Sequence, residues 1–370
     1  MAKPNLDLTV IIPNYNTRGL VRNCIDSIYR LTEGISFEII CVDGNSPDGS
    51  AAMIAEEFPN VVLIRNQCNE SYGRSVNQGL RIARGRYACL LDSDTMLIGN
   101  AFQSLVKFMD QTPEAAACAP KLLNADGSLQ HDIRRFAGLG VFFLQTLNWH
   151  KLFPNSRIMA RYYASDFDFS LSQQVEAIGT TAFVMRRSTW EGAGLLDERF
   201  RWAMVDLAYE YMLGKKGYKL FYTPCAEVIH FGSQTVNQDV LKTLREQCQG
   251  FIDFSDAYDY FGKGRLIKLI VRVGIRVRYY LKLLGYYVSS DKRVIKGPGR
   301  PSKEQAEHIA LLVESSSPAV QQHHRREKPP VPAFSQSGSD ANSVASQKGR
   351  RSFRRSEGHT IATARDKSGG

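Results

Sequence analysis

A chain of 370 residues that is 43% hydrophobic and 23% charged has the composition of an ordinary globular protein, with enough apolar residues for a sizeable core in one or two domains. Its formal net charge of +10 is unevenly placed: 25 Lys+Arg stand against 29 Asp+Glu in residues 1–262, 11 against 1 in residues 263–300, and 11 against 7 beyond. The slightly acidic body argues against a nucleic-acid-binding core, and the short basic segment suits one local anionic partner such as a membrane surface.

The seven cysteines (Cys24, Cys41, Cys68, Cys89, Cys118, Cys225 and Cys248) are odd in number, form no CxxC pair and fall partly inside apolar runs. They read as reduced thiols of a cytosolic protein. The opening MAKPNLDLTV has no signal-peptide core. No uninterrupted apolar run reaches the roughly 18 residues of a membrane-spanning helix.

In chain order, Leu8 to Ile12 is a β-branched run that predicts a buried strand ending at Pro13. Thr17 to Leu31 places Leu20, Cys24, Ile28 and Leu31 at helical spacing. Phe37 to Val42 predicts a second strand, stopped by the turn-rich DGNSPDGS. A helix over Ala51 to Phe58, a strand over Val61 to Ile64, a helix over Ser75 to Ala83 and a strand over Tyr87 to Leu91 follow. This alternation predicts a mostly parallel central sheet with helices on both faces. Ligands of such sheets bind beyond the carboxyl ends of the strands, where PNYN, VDGNS and LLDSD all stand. Past Pro120 the pattern loosens into loops and shorter elements as far as about residue 235. Residues 238–262 read as helical, and residues 263–288 as a basic amphipathic helix. From about residue 297 Pro, Ser, Gln, Lys and Arg dominate, which predicts a disordered tail.

Asp92 and Asp94 stand two residues apart just past a buried strand. Such a pair can hold Mg²⁺ or Mn²⁺ against a diphosphate, or be two solvated loop carboxylates. The aspartyl-phosphatase pattern fails because Met96 stands where Thr or Val is required. Asp43 can accept hydrogen bonds from a base or a ribose, or close a plain Asx turn. The same loop is no EF-hand, since Pro47 occupies a ligand position.

Taken together and in order, VIIPNYN (Val10 to Asn16), VDGNSPDGS (Val42 to Ser50), NESYGRSVNQGLRIARGRYACLLDSD (Asn69 to Asp94), ADGSLQHDIRRF (Ala125 to Phe136), LLDERF (Leu195 to Phe200) and GYKLFYTPCAEVIHFGSQ (Gly217 to Gln234) resemble the family 2 glycosyltransferases of GT-A fold. The RRF and DERF elements are most similar to the rhamnosyltransferase-like branch. The resemblance covers roughly residues 7–235. It implies an inverting, metal-dependent transfer of a sugar from a nucleoside diphosphate sugar, dTDP-rhamnose or a UDP-sugar, to a lipid-linked or glycan acceptor. It implies that Pro13 and Tyr15 line a base pocket, that Asp43 grips the nucleoside, and that Arg74 and Asn77 lie near the ribose and diphosphate. Asp92 and Asp94 become the metal motif, with Asp94 preferred as direct ligand. His230 closes over metal and diphosphate, where the following Gly-Ser suits a mobile lid.

One departure from the family bears on catalysis. Where the family carries an acidic pair, as in EDVDL, this chain reads Trp202-Ala203-Met204-Val205-Asp206-Leu207. Inverting transfer needs a base within reach of the acceptor hydroxyl. Asp206 is the carboxylate left in the motif, with Glu210 one helical turn on, and Asp206 can equally cap the helix that follows. VEAIGTT also departs from the family pattern at Ala177 and Thr180, which implies an unusual acceptor pocket. Loss of the acidic pair leaves open a binding-only relative, or a membrane-recruited scaffold.

The segment 263–288 carries Leu266, Ile270, Val273, Val277, Leu281 and Leu284 on one helical stripe, and Arg265, Lys268, Arg272 and Arg276 on another face. With Tyr279, Tyr280, Tyr286 and Tyr287 it suits an anionic membrane interface, or else it packs on the body with a solvated charged face. The expected organisation is a GT-A domain over 1–240, a basic amphipathic membrane-associating segment over 241–296 and a tail over 297–370. That places the protein in the cytoplasm, peripheral at the inner face of the cell membrane, with no nucleic-acid partner.

Overall fold

The computed structural model describes residues 5–146, 156–200, 203–232 and 239–288, so the expected tail and the last residues of the basic segment lie outside the described residues. Nine strands form one sheet: β1 (Leu6–Asn14), β2 (Phe37–Asp43), β3 (Val62–Arg65), β4 (Gly85–Leu91), β5 (Thr95–Ile98), β6 (Ala115–Leu123), β7 (Gln173–Val175), β8 (Ala182–Arg186) and β9 (Lys219–His230). They lie in the order β3-β2-β1-β4-β8-β6-β9-β5, with β7 also on β9. β1 to β4 are mutually parallel, and β6 and β9 run the same way, so six strands share a direction while β5, β7 and β8 oppose them.

Successive residues of the central strands enter opposite cores. Leu8, Val10 and Ile12 of β1 and Cys89 and Leu91 of β4 pack on one side, beneath α1 (Arg18–Leu31), α2 (Ser50–Glu57) and α4 (Ala101–Gln111). Ile11, Ala88, Leu90, Phe183 and Met185 face the other side, under α3 (Tyr72–Ile82), α7 (Arg187–Ala193) and α8 (Val205–Lys215). Two buried faces explain why these strands read as continuous apolar runs instead of alternating ones. α3 lies close to the sheet because Gly79 has no side chain: a β-carbon there would meet Ile11 Cγ2 at 2.6 Å.

Beyond residue 120 the chain is more regular than its sequence suggests. β6 and the 12-residue β9 are central strands, and the short α5 (Leu139–Thr146) and α6 (Arg157–Tyr162) intervene. β9 carries Pro224, Cys225 and Glu227 mid-strand, and its pairing with β6 slips between Pro120 and Lys121. This irregularity hides the strand from a periodicity reading.

α9 (Val240–Ala257) and α10 (Arg265–Val288) follow. α10 is held by Val271 and Ile275, which pack with Phe142 and Ile252. Its expected apolar stripe points elsewhere: Leu266, Ile270, Val273, Val277, Leu281 and Leu284 are 40–70% exposed. On the basic face, Lys268 pairs with Asp259 and Arg272 with Asp256. No helix among the described residues is long and apolar enough to cross a membrane.

Candidate active site

The carboxyl ends of β1, β2 and β4 open on a cavity of about 520 Å³, as the topology requires. Pro13, Asn14, Tyr15 and Gly44 line one part of it, Asp92, Asp94 and His230 cluster in another, and Asp206 is also in the lining.

In the first part, the β1–β2 register sets Asn14 directly opposite Asp43. Asp43 is buried beneath the lining. It accepts hydrogen bonds from Asn14 Nδ2 at 2.8 Å, the backbone N–H of Ser46 at 2.9 Å and Ser46 Oγ at 2.6 Å. Asn14 Oδ1 in turn accepts from Thr17 Oγ1 at 2.6 Å, and Thr17 Oγ1 lies 2.9 Å from Ser93 Oγ. A continuous polar line therefore ties Asp43 to the Asp-Ser-Asp loop. Sequence reasoning passed over its middle members, Asn14, Thr17 and Ser93, because each is an ordinary turn residue when read singly.

In the second part, the antiparallel pairing of β5 with β9 places Thr95 opposite His230, and the N–H of Phe231 donates to Asp94 O at 2.9 Å. This register brings residues 136 positions apart into one cluster. His230 Nε2 lies 3.4 Å from Asp94 Oδ1 and 4.0 Å from Asp92 Oδ2. One ligand atom from each of the three residues falls within 4.8 Å of the others. Two hard carboxylates and an imidazole suit a divalent cation such as Mg²⁺ or Mn²⁺. Burial, reinforced by the Asp94 carboxylate, pushes Asp92 up from the usual carboxylate range. Burial alone would lower His230, yet Asp94 and Asp92 outweigh it and hold the imidazole above its ordinary value. Both groups are shifted in the same direction, each holding its proton more tightly than it would alone. Gln130 Oε1 sits 2.8 Å from His230 Nδ1, and Gln130 Nε2 donates to Asn124 Oδ1 at 3.0 Å. A proton on Nδ1 leaves Nε2 free to ligate, the usual support for a metal-binding histidine.

Asp206 occupies the first turn of α8 and faces the cavity. Burial raises it, opposed by the N–H of Leu207, which donates to Oδ1 at 2.8 Å. The helix has no side-chain cap; Met204 precedes it with φ 70°. Ala203 and Met204, the replaced acidic pair, do not line the cavity. Ala203 is buried against α9, where a β-carbon on Gly250 would meet Ala203 O at 2.9 Å. Glu210 lies deeper, accepting from the N–H of Ile178 at 2.8 Å.

Besides Asp43, two expected site residues stand apart from the lining, Asn77 and Arg74. Asn77 is buried against the loop before α8, donating to Leu196 O at 2.9 Å and Glu198 Oε1 at 2.9 Å and accepting from the N–H of Leu196. Arg74 is half exposed and pairs with Glu70 and Glu198. Both therefore brace α3 in this structure. α9 supplies a wall that sequence reading did not assign to the site, through Asp239, Lys242 and Thr243. The Gly-Ser of the expected lid begins at Gly232, and Ser233 lies outside the described residues.

The profile of the family described as "Glycosyl transferase family 2" matches residues 9–190. Residues 9–190 belong to that family of transferases, and the doubly covered, mostly parallel sheet is the architecture expected of the GT-A fold. An N-acetylglucosaminyl-diphospho-decaprenol L-rhamnosyltransferase of Mycobacterium tuberculosis is 23% identical over 305 residues, covering 78% of this chain and 97% of that one. An uncharacterized protein of the same organism is 33% identical over 126 residues, 34% of this chain and 39% of its own length. The chain thus spans well under half of that second relative. A crystal structure of GalNAc-T7 with UDP, GalNAc and Mn²⁺ superposes with a TM-score of 0.48 at 14% identity, covering 78% of this chain and 58% of that one.

Proposed function

We propose that the protein transfers a sugar, with inversion, from a nucleoside diphosphate sugar to a lipid-linked or glycan acceptor. The observation that carries this reading is the clustering of Asp92, Asp94 and His230 in a cavity that is also lined by Asp206 and by Pro13, Asn14 and Tyr15. Pro13 and Tyr15 would take the base and Asp43 would anchor the nucleoside through the Asn14 side of the pocket. Asp94 and His230, with Asp92, would hold a divalent cation, which when bound neutralises charge growing on the leaving diphosphate.

Asp206 would then act as base. It takes the proton of the acceptor hydroxyl as that oxygen bonds to the anomeric carbon. The bond from that carbon to the phosphate oxygen breaks, and the diphosphate leaves with the electron pair. Burial strengthens Asp206 as a base, and the Leu207 N–H occupies only one of its oxygens. The long match to an L-rhamnosyltransferase acting on a polyprenyl-linked substrate supports dTDP-rhamnose as donor, with UDP-sugars as the alternative, and a lipid-linked acceptor.

Such an acceptor lies at a membrane, and α10 supplies a surface for it. The open stripe of Leu266, Val273 and Leu284 is flanked by exposed Arg265 and Arg276, complementary to anionic lipid headgroups. Free thiols at all seven cysteines fit the cytoplasmic side. The test is hydrolysis or transfer of UDP-glucose and dTDP-rhamnose with Mn²⁺. Turnover of either one that is lost with chelator supports the reading, and inertness toward a wider nucleotide-sugar panel contradicts it.

A further inference from the structure

Asp132 has both carboxylate oxygens cut off from solvent, and neither oxygen has a hydrogen-bond partner among the described residues, although the residue as a whole keeps some exposed surface. Buried carboxylates are ordinarily met by donors, so an orphan of this kind calls for an explanation. Burial pushes it up to about 7; its own backbone N–H, and Arg134 and His230 acting electrostatically, oppose this without restoring it.

The surroundings show where a donor can come from. A β-carbon built on Gly179 would lie 3.7 Å from Asp132 Cβ, 3.8 Å from Asp132 Oδ2 and 4.0 Å from Thr181 Oγ1, with nothing nearer. Gly179 lines the cavity, and the space its missing side chain leaves is a notch with Asp132 behind it. The notch is firmly built: Ile178 N–H donates to Glu210 at 2.8 Å, and Arg134 N–H donates to Ala177 O at 3.0 Å.

We propose that Asp132 recognises the donor sugar, accepting a hydrogen bond from one of its hydroxyls in the notch at Gly179. This rests on the transferase reading above. If the Asp92–Asp94–His230 cluster holds the diphosphate, the sugar bonded to the second phosphate is the first polyhydroxylated group within reach of a carboxylate beside His230. An O–H donor supplies what the buried oxygens lack, and a site that needs a hydroxyl discriminates strongly against sugars without one there.

The test is calorimetric titration of the full chain, Asp132→Asn and Gly179→Ala, each in Mn²⁺, with UDP, UDP-glucose, dTDP and dTDP-rhamnose. A β-carbon at Gly179 makes only ordinary contacts, so that variant should fold while filling the notch. Expected is a loss of about tenfold or more in nucleotide-sugar affinity in both variants, the size of a hydrogen bond to a charged group. Affinity for the bare nucleoside diphosphate should be unchanged, and Asp132→Asn should melt no lower than the unsubstituted chain. An unchanged gain from the sugar in Asp132→Asn would overturn the proposal. So would a parallel loss of both affinities with a lower melting temperature, which marks a structural carboxylate. If the unsubstituted chain binds no nucleoside diphosphate, the transferase reading fails, and this inference with it.

Discussion

Gln130 and His230 stand 100 residues apart in the chain, yet Oε1 of the first lies 2.8 Å from Nδ1 of the second. The contact fixes which imidazole nitrogen faces Asp94. Replacing Gln130 by Leu should leave the sheet intact, since its backbone N–H still bonds Leu122 O. Loss of such an outer partner typically weakens metal affinity by about 10- to 100-fold. Mn²⁺ titration of Gln130→Leu should show a weakening of that order, and an unchanged affinity would remove Gln130 from the metal site.

Asp206 is the carboxylate left close to Ala203 and Met204, which stand where the family resemblance places an acidic pair. General-base catalysis contributes about 10² to 10⁴ in rate. Asp206→Asn should lower turnover by about that factor while nucleotide affinity holds, because Asp43 and the Asp92–Asp94–His230 cluster sit on other elements. A lower melting temperature at full specific activity would instead assign Asp206 to the start of α8.

Glu210 gives a stability prediction with a definite sign. Burial, then the charge of Asp206, holds its carboxyl well above the usual range. The unfolded chain therefore releases this proton at a lower pH than the folded one, so stability falls as pH rises above the ordinary glutamate value of about 4.5. Glu210→Gln keeps an acceptor for the Ile178 N–H and removes the titration. The metal-free variant should melt higher than the parent at neutral pH, and the two curves should converge toward pH 4. A uniform decrease at every pH would mean that the ionised form is what the fold requires.

The open stripe of α10 bears on membrane contact. Leu266→Ser, Val273→Ser and Leu284→Ser together touch side chains that are 50–70% exposed, so the melting temperature should hold within a few degrees. Flotation with anionic vesicles should be lost. Binding that survives the triple substitution would place membrane contact elsewhere.

The first four strands and the Asp-Ser-Asp loop are legible in the sequence because each strand is an apolar run closed by a turn, and local chemistry marks its end. In the site's second half, local pattern marks Asp92 and Asp94 but not their partner, which enters only through the family resemblance. His230 reaches Asp94 only through the pairing of β5 with β9, a long-range register that no local pattern encodes. Arg74 and Asn77 show the complementary limit. Their positions in the motif suggest ligand contact, whereas in this structure they brace α3 against the loop holding Leu196 and Glu198. α10 was legible as amphipathic, but not which side it buries: the body takes Val271 and Ile275 and leaves the longer stripe open.

The most direct measurement is calorimetric titration of UDP and dTDP into the full chain with and without Mn²⁺, repeated on Asp94→Asn. Tighter binding of one nucleotide in Mn²⁺, with that gain abolished by the substitution, is the predicted result. Binding that ignores the metal, or a metal-dependent gain that persists in Asp94→Asn, would contradict a diphosphate site built on Asp92, Asp94 and His230.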